Sequence, residues 1–435
     1  TAYEIMPSLV GSEMCIRDRY ISNYMRRVVI TGVGAISPIG LSAQDSWDNC
    51  VEGVSGVEPI TLFDSSEFLV QIACEVKGFD PKEYMSPANA RRRDRCQQLA
   101  VAAGKQALLD SGLEINESNA NRVGVVISSS IGGISSLDDS IRHMVTHGPR
   151  RVSPLTIPML MPNGPSGLVA IEIGAQGPAL SVASACASSS DGIGLAWQQI
   201  RSGMCDAILA GGSEATICKI GIAAFDRLGA MSRRNDDFSM TPQPFDRNRD
   251  GLVMGEGSCV LMLEELTKAK ERGANILAEL SGYGITGDAF HITAPHDQGA
   301  GGAQAMRQAM EMAEVNSSDI DYINAHGTAT PLNDVSETLA IKTVFGKRAY
   351  EIPISSTKSM TGHMMGATGS LEAFFCVQAI QTQTSPPTIH YETPDPDCDL
   401  DYVPNNARDA RINVAISNSF GFGGHNSVLL FKKYV

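Results

Sequence analysis

The chain has 435 residues, of which 43% are hydrophobic and 19% are charged, a composition typical of globular proteins rather than disordered or fibrous ones. A chain of this length buries a core large enough to fold without disulfides or a structural metal. Its formal net charge of −14 argues against general binding of nucleic acids or anionic membranes, because both require a positive face.

The ten cysteines include no C-x-x-C pair, so the sequence predicts neither a zinc ribbon nor a thioredoxin-type redox motif. Scattered thiols are typical of proteins in a reducing compartment. There is also no run of about 18 apolar residues, because even the segment 207–225 carries Glu214 and Lys219. We therefore expect no membrane-spanning helix.

The first 24 residues differ from the rest of the chain. They lack the apolar stretch of a signal peptide, and their acidic residues are unlike a transit peptide. The run SLVGSEMCIRDR resembles translated sequencing-adapter read-through, and a disordered natural extension is the alternative. We expect Met25 to be the native start and residues 1–24, with Cys15, to be a non-native extension without function.

Short runs rich in valine and isoleucine alternate along the chain with segments of helical periodicity. This alternation predicts an α/β fold with largely parallel, buried strands. The predicted strands are 27–31, 123–128, 180–185, 207–210, 320–325, 352–356 and 412–417. The predicted helices are 95–111, 188–202, 303–314, 335–345 and 370–381.

The order of these elements runs twice along the chain, although the residues themselves do not repeat. In each part, two of the strands lead into turns of small and polar residues, and helices follow. We predict two related halves rich in βαβ units, joined near residues 268–273. Ligands in such sheets bind beyond the carboxyl ends of the strands, which is where Cys186, His326 and His363 are expected to lie.

Two motifs do not fit the functions that they usually indicate. Residues 282–287 read G-x-G-x-x-G, but no helix is predicted to begin there, so a dinucleotide phosphate would lack its helix N-terminus. His143 and His147 are four residues apart without the glutamate of a zinc protease. We interpret them as surface histidines.

Cys186 lies between a predicted strand and a predicted helix, in SVASACASSSDGIG. A cysteine at a helix N-terminus is near the positive end of the helix dipole and free backbone N–H groups, which favour the thiolate. Its small neighbours leave room for a bulky substrate. We interpret Cys186 as a nucleophile and most of the other cysteines as core residues.

Two histidines follow predicted strands, His326 in NAHGTATP and His363 in STKSMTGHMMGATG. Lys358 precedes His363 by five residues and Glu372 follows it by nine. Each histidine alone is better explained as a core residue, but a thiol and two imidazoles at converging strand ends suit acyl-thioester chemistry. The glycine-rich run NSFGFGGHN would place backbone N–H groups against an oxyanion, with Phe420 and Phe422 as candidate gates. A tight turn is the alternative explanation of those glycines.

These segments resemble the β-ketoacyl-[acyl-carrier-protein] synthases of the thiolase fold, most closely the type II synthases of bacterial fatty-acid elongation. The resemblance covers essentially 25–435 and rests on RRVVITGVGAISPIG, RDGLVMGEG, HGTATP, SSTKSMTGH and NSFGFGG. It implies two pseudo-repeated α/β halves in α-β-α-β-α layers. Residues 25–272 would carry the nucleophile and residues 273–435 the two histidines.

The resemblance also implies roles for individual residues. Cys186 would accept the acyl chain as a thioester, and His326 and His363 would hydrogen-bond the malonyl thioester carbonyl. Lys358 and Glu372 would order the histidines electrostatically. The amides of Cys186 and Phe422 would form an oxyanion hole, and the side chain of Phe422 would act as a gate. Thr328 and Thr330 would contact the phosphopantetheine arm, and Ile131 would form a tunnel floor that sets chain length.

The resemblance further implies an acyl carrier protein as partner, acyl and malonyl thioesters as substrates, a homodimer, and the bacterial cytoplasm or an organelle as the compartment. No metal or resident cofactor is expected, since phosphopantetheine arrives on the carrier. Because the carrier is itself acidic, its docking has to rest on a local basic patch. We expect that patch at Arg91, Arg92, Arg93, Arg95 and Arg227.

The chain departs from the family pattern at three positions, with His425 for a common threonine, Asn333 for a common glycine, and Gly229 for an arginine of the type II enzyme. Three alternatives remain open within or near this fold. They are a polyketide or type I ketosynthase, a non-catalytic chain-length partner of a heterodimer, and a thiolase that uses coenzyme A. The intact Cys186 argues against the second, and the absence of a cysteine near Phe422 argues against the third.

Overall fold

The computed structural model describes residues 25–435, so the predicted N-terminal extension and Cys15 lie outside the described residues. The strands are β1 (Val28–Ile36), β2 (Glu58–Pro59), β3 (Ile72–Ala73), β4 (Val123–Ser128), β5 (Ala179–Leu180), β6 (Ala207–Glu214), β7 (Gly257–Glu265), β8 (Ala278–Gly287), β9 (Tyr322–Asn324), β10 (Ile354–Ser355), β11 (Thr384–Ser385), β12 (Arg408–Asp409), β13 (Val414–Gly421) and β14 (His425–Lys432).

The helices complete the described part of the chain, and short 3₁₀ turns connect several of them. The α-helices are α1 (Ala43–Glu52), α2 (Pro87–Ala90), α3 (Arg95–Ser111), α4 (Ile134–His147), α5 (Thr156–Leu160), α6 (Gly164–Ile173), α7 (Ser188–Arg201), α8 (Lys219–Arg227), α9 (Leu266–Glu271), α10 (Ala300–Met312), α11 (Pro331–Phe345), α12 (Lys358–Thr361) and α13 (Thr368–Thr382). No helix within residues 25–435 is long and apolar enough to cross a membrane.

Ten strands form one sheet in the order β10-β9-β13-β14-β8-β1-β7-β6-β4-β5. The sheet has two sides, β1-β7-β6-β4-β5 and β8-β14-β13-β9-β10, which meet where β1 pairs with β8. When the strands of each side are numbered in chain order, both sides have the order first, fifth, fourth, second, third outward from that contact. The predicted connection near residues 268–273 lies between β7 and β8, where the chain passes from one side to the other.

The expectation of largely parallel strands is wrong for the middle of the sheet. β4, β5 and β6 pair in parallel at one end, as do β9, β10 and β13 at the other. The five pairs between these two ends, from β6–β7 to β13–β14, are antiparallel. A tight turn joins β13 to β14 and forces an antiparallel hairpin. None of the predicted strands corresponds to β7 or β14.

The helices form three layers around the two sides of the sheet. α3 and α6 cover the outer face of the first side, and α10, with α11 packed against it, covers that of the second. α7 and α13 lie between the two sides and contact strands of both. Most residues of these two central helices are buried. The predicted α-β-α-β-α layering is thereby confirmed.

The G-x-G-x-x-G motif lies within β8, where close packing against a helix accounts for its glycines. β8 passes so near α10 that a Cβ on Gly284 would lie 1.9 Å from the carbonyl oxygen of Ala305. β1 passes α3 in the same way, with 2.0 Å between a Cβ on Gly34 and the carbonyl oxygen of Ala103. The glycines of both sides therefore serve helix–strand packing.

Several predicted elements agree closely with the structure. The predicted strand 123–128 and helix 95–111 have the bounds of β4 and α3. The strand predicted for 180–185 is wrong, because β5 ends at Leu180 and the chain then turns. Ala185 has a φ of 50° in that turn, a left-handed conformation that a strand does not contain.

The close packing of β8 on α10 predicts that Gly284→Ala destabilises the protein. The added methyl group has to displace helix backbone, which typically costs about 1–3 kcal/mol. Gly167→Ala is the matched control, because a Cβ at this helical glycine meets nothing within 4 Å. Calorimetry should show a lower melting temperature for Gly284→Ala and an unchanged or slightly higher one for Gly167→Ala. Equal melting temperatures for both variants would contradict the packing argument.

Candidate active site

Cys186 lies in the turn between β5 and the central helix α7, two residues before the helix begins. The turn is held by the hydroxyl of Ser188, which accepts from the amide of Ser184 at 3.0 Å and donates to the carbonyl of Ala185 at 2.6 Å. The left-handed Ala185 directs the chain out of the sheet and into α7. The thiol is consequently placed beside the N-terminus of α7, as the sequence predicted.

His326 follows β9 and is fixed through its main chain. The carboxylate of Glu337 on α11 accepts from the amides of His326 and Gly327 at 2.8 and 2.7 Å. A third hydrogen bond to that carboxylate comes from the side-chain amide of Asn418 at 3.1 Å. The imidazole is 3% exposed, and its Nδ1 has no hydrogen-bond partner within residues 25–435.

His363 follows the short helix α12 and is bound on both sides of its main chain. Its amide donates to the carbonyl of Val253 at 2.7 Å, and its carbonyl accepts from the amide of Gly255 at 2.8 Å. Its ring Nδ1 lies 3.0 Å from the hydroxyl of Thr368 at the start of α13. The rings of His326 and His363 are nearly perpendicular, at 85°, with their centroids 5.4 Å apart.

The predicted pair of Lys358 and Glu372 is a buried ion pair. Nζ of Lys358 lies 2.5 Å from Oε1 of Glu372, and each side chain is 2% exposed. Burial raises the pKa of Glu372 to about 7, against the opposing charge of Lys358. Burial, followed by the charge of Lys358, holds the pKa of both His326 and His363 well below the usual range. Both imidazoles are therefore neutral at pH 7.

The thiol of Cys186 is less acidic than the sequence predicts. Burial raises its pKa to about 11. The charge of Lys358 and the backbone amides of Phe422 and Cys186 act in the opposite direction. The two amides belong to the residues predicted to form an oxyanion hole. The expectation that the helix N-terminus stabilises a thiolate is thus outweighed by burial in the free protein.

The three reactive side chains come together as predicted. Sγ of Cys186 and a ring nitrogen of each of His326 and His363 all lie within 4.8 Å of one another. Such a spacing also permits a metal ion to be shared by soft ligands. The ammonium group of Lys358 acts on all three side chains and disfavours a further cation there. The absence of a metal stays a prediction.

A cavity of about 330 Å³ opens onto the three reactive side chains. The glycine-rich turn between β13 and β14 forms part of its wall, and Phe420 and Phe422 both line it. The ring of Phe420 lies 5.9 Å from that of His326. Gly421 packs against the Cys186 turn, where a Cβ would lie 2.8 Å from the carbonyl oxygen of Ser184. The turn therefore has both of the features proposed for it, a tight bend and a place beside the thiol.

The predicted substrate-binding residues are only partly assembled around this cavity. Thr328 and Thr330 line it, and their hydroxyls lie 2.9 Å apart. Ile131 does not line it. The amide of Ile131 lies 3.4 Å from the carboxylate of Glu214 instead, and its proposed place at a tunnel floor stays a prediction.

Of the five arginines predicted for carrier docking, Arg95 has a structural role. It makes two contacts with the buried carboxylate of Glu256, at 2.6 and 2.7 Å, and donates to the carbonyl of Val76. Its guanidinium is therefore already paired within the chain, and a docking role for this residue stays a prediction. Arg91, Arg92 and Arg227 are exposed and Arg93 is half-buried. Arg227 ends α8 near Leu228 and Gly229, which line the cavity.

Sequence reasoning missed three buried residues that hold the site together. Glu337 binds the main chain at His326, as described above. Glu214 accepts from the hydroxyl of Ser129 and from the amide of Gly366 at 2.7 and 3.1 Å, so it links the loop after β4 to the His363 segment. Thr368 contacts the His363 ring. Glu214 was visible as a charged residue in the mostly apolar segment 207–225, but nothing in the sequence revealed its partners or marked Glu337 and Thr368.

Comparisons with known proteins agree with this geometry. The β-ketoacyl synthase N-terminal domain matches residues 25–269, and the C-terminal domain of the same family matches residues 277–392. A 3-oxoacyl-[acyl-carrier-protein] synthase 2 from Staphylococcus aureus (strain COL) is 48% identical over 94% of this chain and 99% of its own length. The protein of that name from Synechocystis sp. is 49% identical over 94% and 98%.

Solved structures show the same similarity. The ishigamide ketosynthase/chain length factor superimposes with a TM-score of 0.89 at 36% identity, over 94% of this chain and 100% of that one. A type II polyketide ketosynthase in complex with its acyl-carrier protein has a TM-score of 0.88 at 34% identity, with the same coverage. At 36% and 34% sequence identity, both neighbours are similar to this chain in sequence as well as in fold.

The raised pKa of Cys186 predicts a steep pH dependence of its alkylation. Because the thiolate is the nucleophile, the rate with iodoacetamide should rise about tenfold per pH unit between pH 7 and 10. Lys358→Met removes the charge that opposes burial and should slow the reaction at any one pH in this range. Lys105→Met, which removes a lysine paired with Glu172, should leave it unchanged. Mass spectrometry of the Cys186 peptide measures the rates, and a plateau below pH 8 would show a stabilised thiolate instead.

Proposed function

Because the chain belongs to the β-ketoacyl synthase family, we propose that it condenses malonyl-[acyl-carrier-protein] with an enzyme-bound acyl chain and so elongates fatty acids by two carbons. The observation that carries this proposal is the meeting of one thiol and two neutral imidazoles in a single cavity. A thiol accepts an acyl group, and neutral imidazoles donate hydrogen bonds to an enolate without acting as strong acids. The arrangement therefore suits both halves of a Claisen condensation.

The first step forms the acyl-enzyme. Sγ of Cys186 bonds to the carbonyl carbon of the incoming acyl thioester, and the carrier thiol leaves with the proton that Cys186 gives up. The amides of Cys186 and Phe422, which already lower the pKa of the thiol, bind the negative oxygen of the tetrahedral intermediate. Acylation before condensation divides one difficult reaction into two easier ones.

The second step generates the carbon nucleophile. The bond between the malonyl carboxylate and its α-carbon breaks, carbon dioxide leaves, and the electron pair forms an enolate on the thioester. His326 and His363 donate N–H hydrogen bonds to the thioester oxygen as its charge grows. Removing one such preorganised donor typically costs on the order of 10²–10³-fold in rate.

In the final step the enolate carbon bonds to the acyl carbonyl carbon and the thiolate of Cys186 is released. The elongated chain stays on the carrier, so the enzyme needs no resident cofactor for any of these steps. Phosphopantetheine enters with the carrier, and the hydroxyls of Thr328 and Thr330 line the route to the thiol. The position of Thr328 and Thr330 in the cavity wall supports the proposal that they bind the phosphopantetheine arm.

We also propose that the carrier docks at Arg91, Arg92, Arg93 and Arg227. The exposed guanidinium groups of this set offer the positive charge that an acidic carrier requires on a protein of net charge −14. One solved relative is itself a complex of a ketosynthase with an acyl-carrier protein. Gly229 beside the cavity carries no charge where the type II enzyme has an arginine, so more of the electrostatic contribution would come from Arg227.

A homodimer is the assembly that we propose, with β5 at the interface. β5 is the edge strand of the ten-stranded sheet, and both of its residues are exposed. An unpaired strand edge of this kind is a template for pairing with a second chain. Exposed apolar side chains lie on α4, α5 and α6, which precede β5 in the chain, and include Val145, Ile157 and Ile171.

The bacterial cytoplasm is the compartment that we propose, since its reducing conditions keep buried cysteines free.

The alternatives are less well supported. Polyketide ketosynthases share the fold, but the type II polyketide example above is 34% identical, against 48% for the 3-oxoacyl synthase. A non-catalytic partner subunit has no use for the intact set of Cys186, His326 and His363. A thiolase needs a second cysteine as base, whereas Cys186 is the one cysteine among the described residues that line the cavity.

Replacement of Cys186 separates the two halves of the reaction. Cys186→Ala should abolish acyl transfer and chain elongation, because the nucleophile is lost. Cys186→Gln should also lose elongation but keep malonyl decarboxylation, because both histidines remain. Cys74→Ala, at a buried cysteine outside the cavity lining, is the control and should keep both activities. The measurements are intact-protein mass after incubation with acyl carriers and release of labelled carbon dioxide. Elongation at the native rate by Cys186→Ala would disprove the mechanism.

Charge reversal tests the docking patch. Arg91→Glu with Arg92→Glu should raise the KM for acyl carrier protein about tenfold or more and leave kcat nearly unchanged, since rim charges act chiefly on encounter. The control with the same change in net charge is Lys347→Glu with Lys433→Glu, at two exposed lysines. Activity with coenzyme A thioesters should not respond to either pair. An unchanged KM in the arginine variant would place the carrier elsewhere.

A further inference from the structure

The hydroxyl of Thr368 is the one described side-chain group that contacts the Nδ1 of either histidine. Thr368 is the first residue of α13, and His363 precedes it by five residues across a short 3₁₀ turn. Oγ1 and Nδ1 are 3.0 Å apart, a normal distance for a hydrogen bond between a hydroxyl and a ring nitrogen. Both residues are 2% exposed, so water does not compete for this contact.

The direction of this hydrogen bond follows from what else the hydroxyl contacts. A helical threonine commonly returns its hydrogen to the carbonyl three or four residues earlier. Among residues 25–435, Oγ1 of Thr368 is hydrogen-bonded to His363 and to no carbonyl. If Nδ1 carried the proton and donated it, the hydroxyl hydrogen would be buried without an acceptor, which proteins avoid. The hydroxyl is therefore the donor and Nδ1 the acceptor.

A neutral imidazole that accepts at Nδ1 carries its proton on Nε2. His363 is neutral because burial and Lys358 hold its pKa well below the usual range. Its main chain is fixed by Val253 and Gly255, so the contact with Thr368 sets the rotation of the ring as well. Nε2 is then the nitrogen left to the cavity that His363 lines.

We propose that Thr368 is a positioning residue for His363, which it holds in the tautomer and orientation that present Nε2–H to the thioester oxygen of the malonyl extender. This inference rests on the proposed function, in which His363 donates to that oxygen. It also distinguishes the two histidines. Nδ1 of His326 has no such partner among the described residues, so His326 is not held in one tautomer by a side chain.

Two substitutions at this position separate positioning from packing. Thr368→Val keeps the shape of the side chain and replaces the hydroxyl by a methyl group, whereas Thr368→Ser keeps the hydroxyl. Thr338→Val is the matched control, because it removes another buried threonine hydroxyl, bonded to Asp334 and Tyr402, at a residue that does not line the cavity.

The rates of the separate steps give the first measurement. Thr368→Val should lower kcat for malonyl decarboxylation and for condensation by about 10- to 100-fold, with KM and the rate of Cys186 acylation within about threefold of native. Thr368→Ser should restore the native rates within about threefold. Thr338→Val should lower the melting temperature without changing the ratio of decarboxylation to acylation. Equal losses in acylation and decarboxylation, or no rescue by serine, would overturn the proposal.

The ring nitrogens of His363 give a second measurement, which needs neither activity nor a folded valine variant. Histidine labelled with ¹⁵N in the native protein, with the His363 signals assigned by their absence in His363→Asn, should show Nε2 protonated and Nδ1 unprotonated at pH 7. Protonation at Nδ1 would overturn the proposal even in an active enzyme. A native protein that does not decarboxylate malonyl thioesters would instead contradict the proposed function, and the nitrogen signals would still decide the role of Thr368.

Discussion

The buried ion pair of Lys358 and Glu372 sets the electrostatics on which the rest of the site depends. Its ammonium group reinforces the effect of burial on His326 and His363, so both imidazoles stay neutral. The same charge opposes burial at Cys186, where a thiolate has to form. One cation therefore lowers the pKa of all three groups, which keeps the imidazoles neutral and favours loss of the thiol proton. Removing Glu372 would leave the ammonium group of Lys358 unpaired in the interior, which is strongly destabilising.

This ion pair is buried because the site lies where the two sides of the fold meet. Cys186 comes from the turn before α7 in the first side, whereas His326 and His363 follow strands of the second. α7 and α13 are packed between the two sides, so their N-terminal ends, which carry Cys186 and Thr368, approach the same cavity. The close contact between α7 and α13 requires small or hydroxylated residues where the two helices meet. The amide of Ser370 on α13 donates to the hydroxyl of Ser189 on α7 at 2.9 Å.

The sequence predicted the parts of this arrangement that local patterns determine. The α/β class, the layers, β4, α3 and the three reactive side chains follow from periodicity, from the turns and from the resemblance. The antiparallel middle of the sheet did not, because strand direction depends on which distant strand is the neighbour. Glu337 and Thr368 were missed for a related reason. Each acts through contacts across a fold whose pairing the sequence does not show. The pairing of Arg95 with Glu256, which is 161 residues away, was hidden in the same way.

The high pKa of Cys186 and the tautomer of His363 together bear on where the thiol proton goes. With a thiol pKa of about 11, almost no thiolate exists at pH 7, so acylation needs an acceptor for the proton. If Thr368 holds the proton of His363 on Nε2, that nitrogen has no lone pair to offer the thiol. His326 is neutral, lies in the same group of atoms within 4.8 Å, and is not fixed in one tautomer by a described side chain. On that proposal it is His326, and not His363, that has a ring nitrogen free to take up the proton of Cys186.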